Sequence, residues 1–136
     1  MSHTEIDKTL QMIVNNTTEL LKGHGFDIVT EDKILFPYFM PGLAALRSGR
    51  LLVFGVFVFP KEGEFLEEIE AIQSYFNDAV EQNTPESDPR VQIIEKVALV
   101  MAPETIEDKV PAGDIHWIGI GSLAELTDRL RRELAL

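Results

Sequence analysis

The sequence predicts a single α/β domain, residues 1–136, in which helices cover both sides of a mixed central sheet. Amphipathic segments of helical period alternate with short strand-like runs, and no linker divides the chain. The run "LLVFGVFVF", residues 51–59, is apolar on both pleat faces, which is typical of a central strand covered on both sides. These observations favour a three-layer-like sandwich.

The pattern of apolar residues in the first half of the chain predicts one helix followed by three strands. Residues 4–22 carry apolar side chains at helical spacing, and strands are expected over residues 26–30, 43–46 and 51–59. The turn "RSGR" joins the last two strands and places Gly49 where a positive φ is suited, so these strands are expected to form a hairpin.

The second half completes the order αβββαββα. Its predicted elements are a helix over residues 64–82, strands over 91–101 and 115–120, and a helix over 123–134. The sequence "SLAE" before the last helix indicates a capping box, in which Ser122 caps the helix and Glu125 reaches back.

Composition excludes several kinds of chemistry. The chain has no cysteine, so thiolate metal sites, disulfides and thiol chemistry are absent. Its net charge is −11, and nine acids but no lysine or arginine lie between Lys61 and Arg90. A protein surface formed by this acidic segment would repel the phosphate backbone of a nucleic acid, so direct binding of nucleic acid is disfavoured. No signal peptide or apolar run of membrane-spanning length is visible, so a soluble, cytoplasmic protein is expected.

Several positions around the hairpin follow a known spacing. Glu19 lies on the first helix, "PGLAA" opens the second strand with Gly42, and "GVF" follows on the third strand, where Gly55 comes thirteen residues after Gly42. "QSYF" places Gln73 on the second long helix. With this element order, the chain resembles the restriction-endonuclease-like (PD-(D/E)XK) superfamily, including resolvase and RecB-type nuclease domains.

The resemblance implies a catalytic site that this sequence lacks. In that family a helix Glu, the Asp of "PD" and the acid of "ExK" hold Mg²⁺, while the lysine assists the attacking water. Here Gly42, Gly55 and Phe57 occupy the last three positions, and only Glu19 matches. Glycine offers no oxygen ligand and a phenyl ring no ammonium, so no catalytic residue, metal or cofactor is expected. A displaced site at Lys61 and Glu62 is the alternative that retains activity.

A degenerate nuclease-like domain is expected to bind a protein partner or another copy of itself. It would then act as an interaction or regulatory subunit, possibly in a nucleic-acid-processing complex. The acidic second helix supplies the candidate contact residues, which are Glu64, Glu67, Glu68, Asp78 and Glu81.

Other interpretations come from a different class of protein. "IGIGS" lies between a strand and a helix, where backbone amides of Gly119, Gly121 and Ser122 are candidates for holding a phosphate. A tight turn explains the same glycines. A small ligand-binding α/β protein and an acidic inhibitor that imitates DNA therefore stay open as alternatives. His116 is a further candidate for pairing with a buried acid.

Overall fold

The computed structural model describes residues 3–29, 43–82 and 92–136. Within these ranges the elements follow the predicted order. They are α1 (His3–Gly23), β1 (Asp27–Val29), β2 (Leu43–Arg47), β3 (Arg50–Val58), α2 (Glu64–Gln82), β4 (Ile93–Met101), β5 (Ile115–Ile120), a 3₁₀ turn (Leu123–Glu125) and α3 (Leu126–Glu133).

The five strands form one mixed sheet in the order β1-β2-β3-β4-β5. β2 is antiparallel to both of its neighbours, whereas β3, β4 and β5 are mutually parallel. The β2–β3 hairpin closes through Ser48 and Gly49, with φ values of 52° and 81°, and Arg47 pairs with Arg50. Two consecutive positive φ angles are typical of the turn whose twist matches that of paired strands, so the predicted role of Gly49 is confirmed.

Alternate residues of β3 enter two separate cores. One core lies between the sheet and α2, and joins Leu51 and Val53 to Phe65 and Phe76. The other lies between the sheet and the pair α1 and α3; its large fully buried side chains include Ile13, Leu21, Leu52, Phe54, Leu126 and Leu130. The structure is therefore an α/β sandwich with a five-stranded mixed sheet, as the two apolar faces of residues 51–59 predict.

The last helix differs from its predicted form. It begins with a 3₁₀ turn over Leu123–Glu125 and becomes α-helical only at Leu126. The carboxylate of Glu125 accepts a hydrogen bond from the backbone N–H of Ser122 at 3.2 Å, which confirms that this side chain reaches back. It also accepts one from Gly121 N–H, and the tight first turn keeps the carboxylate close to both donors.

No helix within residues 3–29, 43–82 and 92–136 combines the length and the apolar character needed to cross a bilayer.

Candidate functional site

Gly55 on β3 faces α2 and is closely packed. A Cβ atom at this position would lie 2.8 Å from Cε2 of Phe57 and 2.8 Å from Cζ of Phe76. Phe76 is completely buried. Any side chain on residue 55, including the carboxylate that the nuclease resemblance expects, must therefore displace two aromatic rings.

Phe57 follows Gly55 on the same face of β3 and belongs to an aromatic cluster. Its ring meets Tyr75 edge-on with centroids 5.8 Å apart, and Phe76 at 6.4 Å. Burial raises the pKa of Tyr75, so its phenol stays protonated at ordinary pH. Gln73 lies on the same helix and is partly buried. The position that the resemblance gives to lysine is thus an apolar contact between β3 and α2.

Glu19 does not lie near Gly55 and Phe57. It is exposed on α1, and α1 packs on the face of the sheet opposite α2. Gly42 lies outside the described residues. Within the described ranges, no group of three or more histidine and acidic side chains is arranged to hold a metal ion. The structure therefore does not assemble Glu19, Gly55 and Phe57 into one site.

The displaced candidates Lys61 and Glu62 are both exposed in the turn before α2. The backbone N–H of Lys61 donates a hydrogen bond to Oε1 of Glu64 at 2.7 Å. A side chain that accepts from the residue three positions earlier stabilises the start of a helix, because the first amides of a helix lack partners within it. Glu64, expected to contact a partner, therefore has a local capping role.

The outer face of α2 carries the other acidic candidates. Glu67, Glu68 and Glu70 are exposed and form no ion pair with any described residue. Leu66 lies beside them with 51% of its surface exposed. The side chains of Asp78 and Glu81 fall outside the described part of the chain. Over the part of α2 whose side chains are described, residues 64–77, the exposed stripe is therefore acidic and includes the large apolar side chain of Leu66.

The glycine-rich turn after β5 has its amide donors occupied by carboxylates of the same chain. Gly121 and Ser122 donate to Glu125, and Gly119 N–H donates to Oε1 of Glu107 at 3.0 Å. The absence of a side chain at Gly119 also lets Ile106 pack closely against β5, since a Cβ at residue 119 would lie 2.7 Å from Cγ1 of Ile106. A phosphate at this turn would have to displace two carboxylates.

A cavity of about 770 Å³ opens beyond the carboxyl ends of β4 and β5. The loop after β4 contributes Glu104 and Glu107 to its wall, the glycine-rich turn contributes Gly121, and α3 contributes Asp128 and Arg129. Ligands of α/β proteins commonly bind beyond the carboxyl ends of parallel strands, and this volume is within the usual range for small-molecule sites.

A chain of charged groups fixes the α3 side of this cavity. His116 Nε2 lies 3.0 Å from Oε2 of Glu133, and Oε1 of Glu133 lies 3.4 Å from NH1 of Arg129, which also pairs with Glu107. The hydrogen bond from His116, assisted by the charge of Arg129, lowers the pKa of Glu133. The acid that pairs with His116 is thus Glu133, seventeen residues away and on another element.

Comparison with known proteins finds no family model, no curated protein and no solved structure that matches the chain. What is shown of the fold is an α/β sandwich with a five-stranded mixed sheet. The packed hairpin, the acidic face of α2 and the cavity are the features that bear on function.

Proposed function

We propose that this chain is a non-catalytic, protein-binding domain with a restriction-endonuclease-like architecture, acting as an interaction or regulatory subunit. The observation that carries the proposal is the packing of Gly55 against Phe57 and Phe76. The position to which the resemblance assigns a metal-binding acid is part of the hydrophobic core.

The topology supports the nuclease-like relationship. An N-terminal helix precedes three strands that pair as an antiparallel meander, and α2 then leads to β4, parallel to β3. This arrangement agrees with the element order on which the resemblance rests. The hairpin that carries catalytic groups in such nucleases corresponds here to β2 and β3.

Packing energetics explain why the hairpin would not retain part of a metal site. A carboxylate buried without a metal or another partner costs several kcal/mol or protonates. Glycine at 55 and phenylalanine at 57 avoid that cost and add apolar contact with α2. Once the metal is lost, these replacements stabilise the fold.

The exposed face of α2 supports a basic protein as the partner. Glu67, Glu68 and Glu70 have no intramolecular counter-charge among the described residues, and Leu66 offers an apolar contact beside them. Complementary charge accelerates encounter and selects partners, while a desolvated apolar residue contributes affinity. The same acidic face repels nucleic acid, so a contribution to nucleic-acid processing would act through the protein partner.

The first experiment tests for catalysis. The purified protein is incubated with DNA and RNA in Mg²⁺ or Mn²⁺, beside a Lys61→Ala variant. We expect no cleavage by either protein. Cleavage by the wild type that Lys61→Ala abolishes would show a displaced active site and refute the non-catalytic proposal.

The second experiment tests the docking face. Partners captured from the native cell are compared between wild type, a Glu67→Lys/Glu68→Lys variant and a control, Asp7→Lys/Glu19→Lys. Both variants change the charge equally, and the control positions are exposed on α1, across the sheet from α2. We expect a partner that the α2 variant loses and the control retains. Capture by both variants alike would contradict docking on α2.

One observation favours a second candidate function, that of a small ligand-binding α/β protein. The cavity beyond β4 and β5 has the position and size of a ligand site. Its chemistry does not favour phosphate, because carboxylates already occupy the turn amides of Gly119, Gly121 and Ser122.

A further inference from the structure

We infer that the outer edge of β5 pairs with the β5 strand of a second copy of this chain, which joins two sheets into one. β5 lies at one end of the strand order, next to β4. An edge strand offers unpaired backbone N–H and C=O groups, which form a template for pairing with another extended chain. This surface consists of main-chain groups and is separate from the acidic face of α2.

The hydrogen bonds at the end of β5 show which of its residues face outward. The carbonyl oxygen of Ile120 is directed toward the β4 side, where it accepts from Ala102 N–H at 3.1 Å. The N–H of Gly119 is directed away from β4 and donates to Oε1 of Glu107 at 3.0 Å. Main-chain groups of successive strand residues alternate between the two sides of the strand. The odd-numbered residues of β5 therefore face outward.

Ile115 and Trp117 hold outward groups that the described part of the chain leaves unpaired. Neither their N–H nor their C=O groups form a hydrogen bond with any described residue beyond the ladder to β4. Gly119 differs, because Glu107 occupies its N–H and Arg129 pairs with Glu107. The available edge is thus two outward residues long.

One antiparallel register satisfies these outward groups together. It places Ile115 of one copy opposite Trp117 of the second copy, and the same pair repeats across a two-fold axis. Residues opposite each other in such a pair exchange both of their N–H···O bonds. Each copy supplies two donors and two acceptors, so the contact closes with four hydrogen bonds and leaves Gly119 paired with Glu107. The same surface is used on both copies, so the assembly stops at a dimer.

The side chains on both faces of β5 fit this register. On the α2 face, each partly exposed Ile115 meets a Trp117, and cross-strand pairs of aromatic and β-branched residues stabilise sheets. On the other face, the two His116 side chains meet at the axis, and Nε2 of each lies 3.0 Å from Oε2 of its own Glu133. Imidazole and carboxylate groups of opposite charge preference therefore surround the axis. This self-complementarity favours a second copy over an unrelated strand.

β5 also lacks the features that prevent edge strands from pairing. Residues 115–120 contain no proline, lysine or arginine, and their ladder with β4 runs without a bulge. At the opposite end of the strand order, β1 spans only Asp27–Val29 among the described residues and begins with a charged side chain. A short, charged strand is a poor template, so β5 is the edge that pairs.

Sedimentation of the full chain over a range of concentrations tests for the dimer, and we expect a monomer–dimer equilibrium. Ile115→Pro removes one outward N–H from each copy, and with it two of the four hydrogen bonds. The ladder to β4 does not use that N–H, and proline is tolerated at the first residue of an edge strand. Dimerisation should weaken about tenfold, while circular dichroism and the urea midpoint report whether the variant is folded.

An introduced cysteine tests the register directly, because the chain has none of its own. The Cα atoms of the two residues at position 116 would lie about 4.5 Å apart in a non-hydrogen-bonded pair, within the range that a disulfide spans. His116→Cys should therefore form a disulfide-linked dimer on mild oxidation. Gln11→Cys, exposed on α1, is the matched control and should link much more slowly.

Three results would overturn the inference. They are a monomer at every concentration measured, equal rates of cross-linking for the two cysteine variants, and undiminished dimerisation of a folded Ile115→Pro variant. If Ile115→Pro does not fold, the cysteine variants still decide. Glu67→Lys/Glu68→Lys should keep the dimer, since those side chains lie on the outer face of α2; its loss in that variant would assign self-association to α2 instead.

Discussion

Replacement of Gly55 tests whether the hairpin is a packed core. In Gly55→Ala the new Cβ would lie 2.8 Å from ring carbons of both Phe57 and Phe76, so both rings must move. Overpacking of this kind costs about 1–3 kcal/mol, and the reduced chain entropy of alanine in a strand returns about 0.5–1 kcal/mol. The expected net loss in the free energy of unfolding is therefore about 1–2 kcal/mol.

The loss is measured by urea denaturation at constant pH, supported by thermal unfolding. For a domain of this size, each kcal/mol corresponds to about 3–5 °C in Tm. Gly55→Asp should cost about 4 kcal/mol or more, because it adds burial of an unpaired carboxyl group to the steric clash. Gly113→Ala is the matched control, since no atom lies within 4 Å of a Cβ at that position and the backbone there has no positive φ.

Unchanged stability of both Gly55 variants would contradict close packing at this position. If Gly55→Ala and Gly55→Asp unfold within about 0.5 kcal/mol of Gly113→Ala, the rings of Phe57 and Phe76 leave room at residue 55. An open space there would be compatible with a functional pocket, and the main support for a non-catalytic hairpin would be lost. A Gly55→Asp/Phe57→Lys variant that stayed folded and cleaved DNA would have the same effect.

Three further substitutions have expected outcomes that depend on single contacts. Thr17 is completely buried and its Oγ1 has no described hydrogen-bond partner, so Thr17→Val should stabilise the protein by about 1 kcal/mol in urea denaturation. Gly119→Ala should destabilise it by about 1–3 kcal/mol, because the new Cβ would meet Ile106 at 2.7 Å; an unchanged urea midpoint would contradict this packing. Glu133 has a lowered pKa through its contact with His116, so the stabilisation that it gives is present at neutral pH and decreases as the pH falls below its ordinary value of 4.5. The gap between wild type and Glu133→Gln, no more than about 0.5 kcal/mol for this partly exposed pair, should therefore close in acid, and a constant gap would refute the assignment.

The parts of the fold that the sequence predicts are those encoded by local pattern. The two apolar faces of residues 51–59 predict helices on both sides of β3, and Gly49 predicts the hairpin turn; both are present. The reach of Glu125 back to Ser122 is also local, because it joins residues three apart. The 3₁₀ start of the last helix was not predicted, since apolar spacing does not distinguish it from an α-helical turn.

The site is harder to predict because its contacts join distant residues. Gly55 is packed by Phe76, twenty-one positions later, and Gly119 N–H is bound by Glu107 from a loop whose sequence gives no signal for that contact. Glu19 has the spacing of a catalytic acid, but spacing does not indicate on which side of the sheet α1 packs. Pairing between distant side chains depends on the tertiary fold, whereas capping and turns depend on neighbouring residues.

Salt provides a further test of docking on α2, because the acids that carry the proposed contact are exposed. They lie on a solvated face, where charges more than about 8 Å apart are largely screened at an ionic strength of about 0.15 M. Protein capture through α2 should therefore decline steeply between low and physiological salt. If capture is unchanged over that range, the acids of α2 do not carry the contact with the partner.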